Sequence, residues 1–478
     1  MANYTTPQRQ KMLDRLQKVL PAIVEDLYQQ LQQREEGPNL LEIEHLVQRA
    51  IKPLARELIL ELVSQLAHQQ PLDPPACRCG QPTQYEHEKP LTLLTMWDEI
   101  TLERPYFSCV PCQHGTVPLD QTLRIGPGQI SPALEEAMSM LGACMPFELA
   151  VKTLGKLLAL DLPAKTEQRV LQRVGAELET RQQEEVQQAW EKYEFPPREG
   201  KAPDTLYLGA DGTTIRLGDE YREVKVAAFH RAELRTTAKG KTELHAVDVT
   251  YVVAVDEPAE EFAKRVLVEG YRRGWNQAQL VVVLGDGAAW IWKQISAQVP
   301  EAVKKVEIVD FYHASERLWG VGKAIWGETA AATKLWVEDR LTELLRGQVS
   351  TVLEGIERQW VATGTERSQL ACLGEDKAKD LPEPKKTLRE AWTYFTNNQG
   401  RMHYDQYRQQ GLFIGSGTVE SACKRLVGAR TKQSGMRWSQ EGAQDVLQVR
   451  ALFLSDRDRW DHFWANRQPP PRHRDKAA

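Results

Sequence analysis

At Thr205 the apolar pattern of this 478-residue chain changes from helical spacing to strand alternation, and this change limits the fold more than any other feature. The runs TLYLGADGTTIRL (205–217), REVKVAAFHRAEL (222–234) and ELHAVDVTYVVAV (243–255) have joints short enough for an antiparallel meander. The pattern then predicts a helix over Glu257 to Tyr271, a buried strand over Gln279 to Leu284, a helix over Ala288 to Val299, and a strand over Val306 to Val309. Three strands followed by alternating helix and strand define a mixed sheet whose later strands run parallel.

Three acids punctuate this core. Asp211 interrupts the first run in what reads as a glycine-flanked turn, Asp286 ends the fourth strand in VVVLGDGAAW, and Glu420 lies on the helical GSGTVESACK. Ligands of an open α/β sheet bind at the carboxyl ends of its strands, where Asp286 falls. An Asp-Gly pair alone serves turns, so neither aspartate is diagnostic singly. Together the three carboxylates suit Mg2+ or Mn2+, and a pair of such ions about 4 Å apart activates an attacking oxygen and stabilises a leaving one. Phosphodiester chemistry is the expectation, with Gly212 and Gly287 leaving room for a phosphate backbone. Asp310 and His313 form a D-x-x-H after the fifth strand, which makes Asp310 the rival second ligand. Asp286 ranks first because strand order sets it beside Asp211. His313 either bonds the site's carboxylates or a scissile phosphate, or serves as a structural histidine.

The remaining segments read as modules. Residues 1–70 carry amphipathic helices (Leu13, Leu16, Leu20, Ile23, Leu27, then Leu41 to Leu54), suited to dimerisation or DNA contact, and PLDPP at Pro71 to Pro75 stops them. In 71–130, Cys77-x-Cys79 and Cys109-x-x-Cys112 bracket a strand pair, the spacing of a zinc-ribbon-like structural Zn2+ site, with His114 as a substitute ligand. Cys144, Cys372 and Cys423 stand alone and read as small apolar residues. Residues 131–200 hold two helices around a Leu-Asp-Leu-Pro turn, a helix-turn-helix-like unit with Lys165, Thr166, Gln168 and Arg169 facing a groove. The core, 201–315 and 412–455, is interrupted by a helical stretch, 316–411, whose Trp319, Trp326 and Trp336 read as core. Beyond Glu420, Lys424, Arg425, Arg430, Lys432 and Arg437 occur with no acid between Ser421 and Ser439, a phosphate-binding surface beside the acids, and Trp438 fits equally a stack on an unpaired base and a buried position. Residues 456–478 read as a tail.

A net charge of −5 excludes a generally basic DNA-coating protein, so nucleic-acid affinity has to come from such patches. The lack of a long apolar run or leader pattern and an odd count of seven cysteines lead to the expectation of a cytoplasmic protein without membrane contact.

The strand and helix order is that of a ribonuclease-H-like fold. LGADGTTIR, LGDGAAWIW, IVDFYHASERLW and SGTVESACKRLVGARTKQSGMRWS resemble the DDE transposases of bacterial insertion sequences, the Kra-type group within the Mutator-like assemblage. The resemblance extends over most of the chain, including the CRCG…C-x-x-C segment. It implies a triad of Asp211, Asp286 and Glu420, a helical insertion ahead of the glutamate, and cleavage at element ends followed by 3′-OH transfer into target DNA. Two metal ions per site, inverted-repeat and target DNA as partners, at least a homodimer on DNA, and a nucleoid-associated location follow from it. The same residues also fit a metal-dependent nuclease without strand transfer. A non-cutting DNA-binding protein on an inert scaffold would have no use for the three acids.

Overall fold

A computed structural model describes residues 6–33, 37–69, 74–77, 79–236, 240–372, 380–470 and 472. Residues 71–73 of the Pro71 to Pro75 break and 473–478 of the expected tail lie outside them. It is a mixed α+β structure of two compact units, Met1–Glu177 with Trp460–Ala478, and Leu178–Arg459.

In the first unit, α1 (Thr6–Gln32), α2 (Leu40–Ala50) and α3 (Lys52–Gln69) precede a small antiparallel sheet. Arg15 of α1 binds Glu57 and the buried Glu61 of α3 at 2.6 and 2.9 Å. Asn39 and Glu42 form a reciprocal capping box that fixes the start of α2. β1 (Gln84–Thr95) and β2 (Asp98–Ser108) pair from Gln84↔Ser108 to Thr95↔Asp98, and the short β3 (Gly115–Thr116) adds to β2. The Leu91, Leu93, Ile100 and Leu102 side chains form a core with Ile125. After α4 (Pro118–Thr122), α5 (Pro132–Cys144) and α6 (Phe147–Leu158) enclose Leu134, Met138 and Leu154. α7 (Ala164–Lys192) runs on past the Lys165 to Leu178 helix expected from sequence.

The second unit is organised by a five-stranded sheet in the order β6-β5-β4-β7-β8. β4 (Thr205–Leu217), β5 (Glu220–Thr236) and β6 (Thr242–Val255) are the antiparallel meander, and β7 (Leu280–Gly285) and β8 (Lys304–Val309) add parallel to β4. α8 (Ala259–Arg272) makes the crossover into β7. Between β7 and β8 the expected helix is a π turn, Ile291–Ile295, followed by a 3₁₀ turn, Ser296–Gln298.

Both faces of the sheet are covered, which is why every residue of β5 from Val224 to His230 is buried. On one face Ala227, Phe229 and Val252 pack with α8 and with the helices that follow β8. Those helices are α9 (Phe311–Trp326), α10 (Ala331–Leu345), α11 (Val349–Ala362), α12 (Arg367–Cys372) and the helix Lys385–Asn398. Trp319 and Trp336 lie half-buried against this core, as expected of them. On the other face Val224, Val226, Ala228 and Val253 meet Val419, Leu426, Val427 and Leu447 of the carboxyl-terminal helices. Residues 456–478 are not simply a tail: Arg459–Asn466 is helical, and the buried Arg467 binds Glu135 and Glu177 at 2.9 and 2.8 Å. Those ion pairs satisfy a cation that composition alone assigns to solvent.

Candidate functional site

The sheet register lines up the aspartates. The parallel pairing of β4 with β7 ends at Gly209↔Leu284, and its continuation sets Asp211 level with Asp286. β7 and β8 pair through Gly285↔Val309, so the next step sets Asp286 level with Asp310. Three neighbouring strands thus deliver carboxylates at one level of the sheet.

Asp211 is not in a turn: β4 continues through it, with Asp211 opposite Val226 and Gly212 opposite Lys225. Nor do Gly212 and Gly287 leave open space. A Cβ would fall 2.3 Å from Glu223 Oε1 at the first and 2.7 Å from the Tyr394 ring at the second.

Glu420 comes to this strand level from a distant part of the sequence. Its short helix, Gly417–Ala422, lies over β4, where a Cβ on Gly209 would stand 3.0 Å from Val419 Cβ. A side chain at 209 would therefore lift the helix that carries the glutamate. Ser416 locks the helix start: its N–H donates to Asp310 Oδ2 at 2.6 Å and its hydroxyl donates to the same oxygen. The hydroxyl also reaches Glu420 Oε1 at 3.3 Å.

Asp310 is fully buried and caps α9, accepting at Oδ1 from the N–H of Tyr312 (2.5 Å) and His313 (3.2 Å). Burial would raise its carboxyl, but the His313 ring, Ser416 and Tyr312 outweigh it and hold it at about 2. His313 Nδ1 stands at ion-pair distance, 3.6 Å from Asp310 Oδ2 and 3.8 Å from Glu420 Oε1. Asp310 foremost, with Glu420 and Asp286, lifts the imidazole to about 9 against partial burial, so it is an imidazolium at neutral pH. Ligand atoms of Asp310, His313 and Glu420 all lie within 4.8 Å of one another, a group that includes neither Asp211 nor Asp286.

Burial raises the Asp211 carboxyl, and the charge of Asp286 adds to this, while the Gly212 N–H, the Cys423 thiol and His313 oppose it. Asp286 Oδ1 accepts from Ala288 N–H at 2.8 Å, and the Tyr394 hydroxyl donates to the Asp286 carbonyl at 2.9 Å. The exposed Arg317 guanidinium, one turn after His313, lies 5.4 Å from the Tyr394 ring centroid.

The basic segment divides. Lys424, 4.0 Å from Glu420, and Arg425 are exposed, and so is Lys432, which donates to Thr213 Oγ1 at 2.6 Å beside Asp211. Arg437 is exposed near Asp219 at 3.7 Å. Arg430 is fully buried under the Trp438 ring, 5.0 Å from its centroid, and Trp438 Nε1 donates to the Thr431 carbonyl at 3.2 Å. Arg430 therefore presents no phosphate contact, and half-buried Trp438 has one face against its guanidinium. Cys423 is more than a small apolar residue, since burial and the charge of Asp211 push its buried thiol well above the usual range. No sequence pattern marked Cys423, Ser416, Tyr394 or Arg317; burial and contact alone reveal them.

In the first unit the four cysteines converge, with Cys77 Sγ 3.4 Å from Cys112 Sγ and Cys79 Sγ 3.6 Å from Cys109 Sγ. A tetrahedron of Zn–S bonds of about 2.3 Å has edges near 3.8 Å, so the thiols fit Zn2+ after slight expansion. His114 is not part of this group. Lys165 and Arg169 are exposed on the first turns of α7, whereas Thr166 and Gln168 are half-buried.

The fold and site define a mixed α+β protein with carboxylates gathered at strand ends and a separate four-cysteine cluster. The chain belongs to the Uncharacterised protein family (UPF0236), matched over residues 33–468. No curated protein matches it. Among the described residues no helix is long and apolar enough to cross a membrane.

Proposed function

We propose that this chain is a DNA transposase of a bacterial insertion sequence, with a ribonuclease-H-like core, that cuts element ends and joins their 3′-hydroxyls to target DNA. The observation that carries the proposal is the register that levels Asp211 with Asp286 and Asp310, together with the return of Glu420 to within 3.8 Å of His313, three residues after Asp310. The sheet order, with β5 antiparallel between β4 and β6 and with β7 and β8 parallel, agrees with that core.

Asp211, Asp286 and Glu420 hold Mg2+ or Mn2+, and their hard oxygen donors suit either ion. Such ions supply activation of the attacking oxygen and stabilisation of the leaving one. Asp310 positions Ser416, His313 and thereby Glu420, because its oxygens already accept the cap and loop donors. The His313 imidazolium tempers repulsion among the acids and offers a proton donor toward a phosphate oxygen. Lys424, Arg425, Lys432 and Arg437 neutralise the strand backbone. The four thiolates hold Zn2+, Lys165 and Arg169 contact the double-stranded ends, and α1 to α3 join two copies on DNA in the bacterial cytoplasm.

The test is strand cleavage and joining in Mg2+ on a duplex copied from the DNA flanking the coding sequence, with wild type, Asp211→Asn, Asp286→Asn and Glu420→Gln. Cutting and joining by wild type, with DNA binding alone by the variants, is the predicted outcome. Cutting without joining would favour a nuclease, and binding without cutting in either metal would favour the inert scaffold.

A further inference from the structure

Tyr312 has no role in the chemistry described above, yet it stands between Phe311 and His313 at the start of α9 with 64% of its surface exposed. The core does not account for it. One edge of the ring rests on Gly415, where an added Cβ would fall 2.8 Å from Cε2 and 2.9 Å from Cδ2. Phe311 meets it edge-on at 5.8 Å and 76°. Its own N–H is tied to Asp310 Oδ1, and the Phe311 N–H is tied to the Ile414 carbonyl at 2.9 Å. The ring is thus braced by backbone and glycine on one side and open on the other.

A fixed aromatic face offers contact area at little entropic cost. Its neighbours narrow the choice of occupant. Asp310 and His313 flank it along the chain, Gly415 under its edge precedes Ser416 and the helix of Glu420, and the exposed Lys424 stands 4.0 Å from Glu420. Unpaired bases offer π-faces that aromatic side chains stack on, faces that a paired duplex keeps covered. We propose that Tyr312 stacks on an unpaired nucleobase adjoining the phosphate held at the acid cluster. This rests on the transposase reading and adds a strand-capturing residue to it. Trp438, which the sequence leaves equally open to stacking and to burial, is engaged by Arg430 and Thr431.

The experiment uses the full chain and two DNA probes copied from the flanking sequence, one fully paired and one with an unpaired fork, each carrying 2-aminopurine at the same position. Binding is followed by fluorescence in Ca2+, and cleavage is followed separately in Mg2+. Wild type is expected to bind the fork about tenfold more tightly and to quench the probe, since one base stack contributes about that much. Tyr312→Ala loses the preference and the quench, with paired-duplex affinity within about twofold of wild type, and Tyr312→Trp keeps both. Retention of preference and quench by Tyr312→Ala overturns the proposal. Equal wild-type binding of both probes, with cutting intact, also overturns it while sparing the transposase reading. Wild type that neither binds nor cuts either probe sinks both.

Discussion

Asp286 and Asp310 sit level on neighbouring strands, yet their surroundings assign them different work. Asp310 is fully buried and accepts from Tyr312, His313 and Ser416. Asp310→Asn removes a cap and leaves donors opposed by an amide, so it should destabilise the unit by about 1–3 kcal/mol in urea unfolding. Asp286→Asn, at a half-buried position, should cost less than about 1 kcal/mol while abolishing cleavage. Equal stability losses in the two variants would remove the distinction. His230 provides a pH test away from the acids. Burial drops it to about 4, against 6.5 for an ordinary histidine, and its ring stacks on Tyr207 at 5.0 Å. Between these values the unfolded chain binds the extra proton, so stability rises with pH through that window and is lost as pH falls toward 4. The span is on the order of 3 kcal/mol. His230→Phe should flatten stability between pH 4 and 6.5 relative to wild type, as followed by thermal melting at several pH values.

At the level of elements, alternation and helix spacing made the meander, α8 and the strands β7 and β8 legible, because both faces of the sheet are buried and the apolar runs are long. The turn at Asp211 was misread since Asp-Gly is a turn signal, whereas paired neighbours on β5 keep β4 extended through it. Arg430 reads as surface because charge suggests solvent, and only the packed structure reveals its burial against Trp438. The helix Arg459–Asn466 escaped notice for the same reason, being short and charged. Two element-level outcomes follow. Gly209→Val should push the helix Gly417–Ala422 off β4, reducing cleavage at least about tenfold at a stability cost of about 1–3 kcal/mol. Unchanged activity would show that this packing does not position Glu420. Purified protein should release one Zn2+ per chain to a chelator, with loss of β1 to β3 signals in hydrogen exchange and retention of those from β4 to β8. A metal-free preparation with β1 to β3 fully protected would contradict the four-thiolate site.

Across the whole chain, the four-cysteine cluster and the exposed Lys165 and Arg169 fall in one compact unit and the acid cluster in the other. The candidate acids could be picked out in sequence because each ends or interrupts an apolar run beside a glycine or on a short helix. The locking of Glu420 through Ser416 and Asp310 could not, since it joins residues far apart in the chain. The proposed activity requires Asp211, Asp286 and Glu420 to hold divalent metal jointly. Titration calorimetry with Mn2+ tests it most directly, on wild type and on Asp211→Asn, Asp286→Asn and Glu420→Gln. Saturable binding by wild type, weakened at least about tenfold by each substitution, is the predicted result. Wild-type binding that persists unchanged in all three variants would contradict the account.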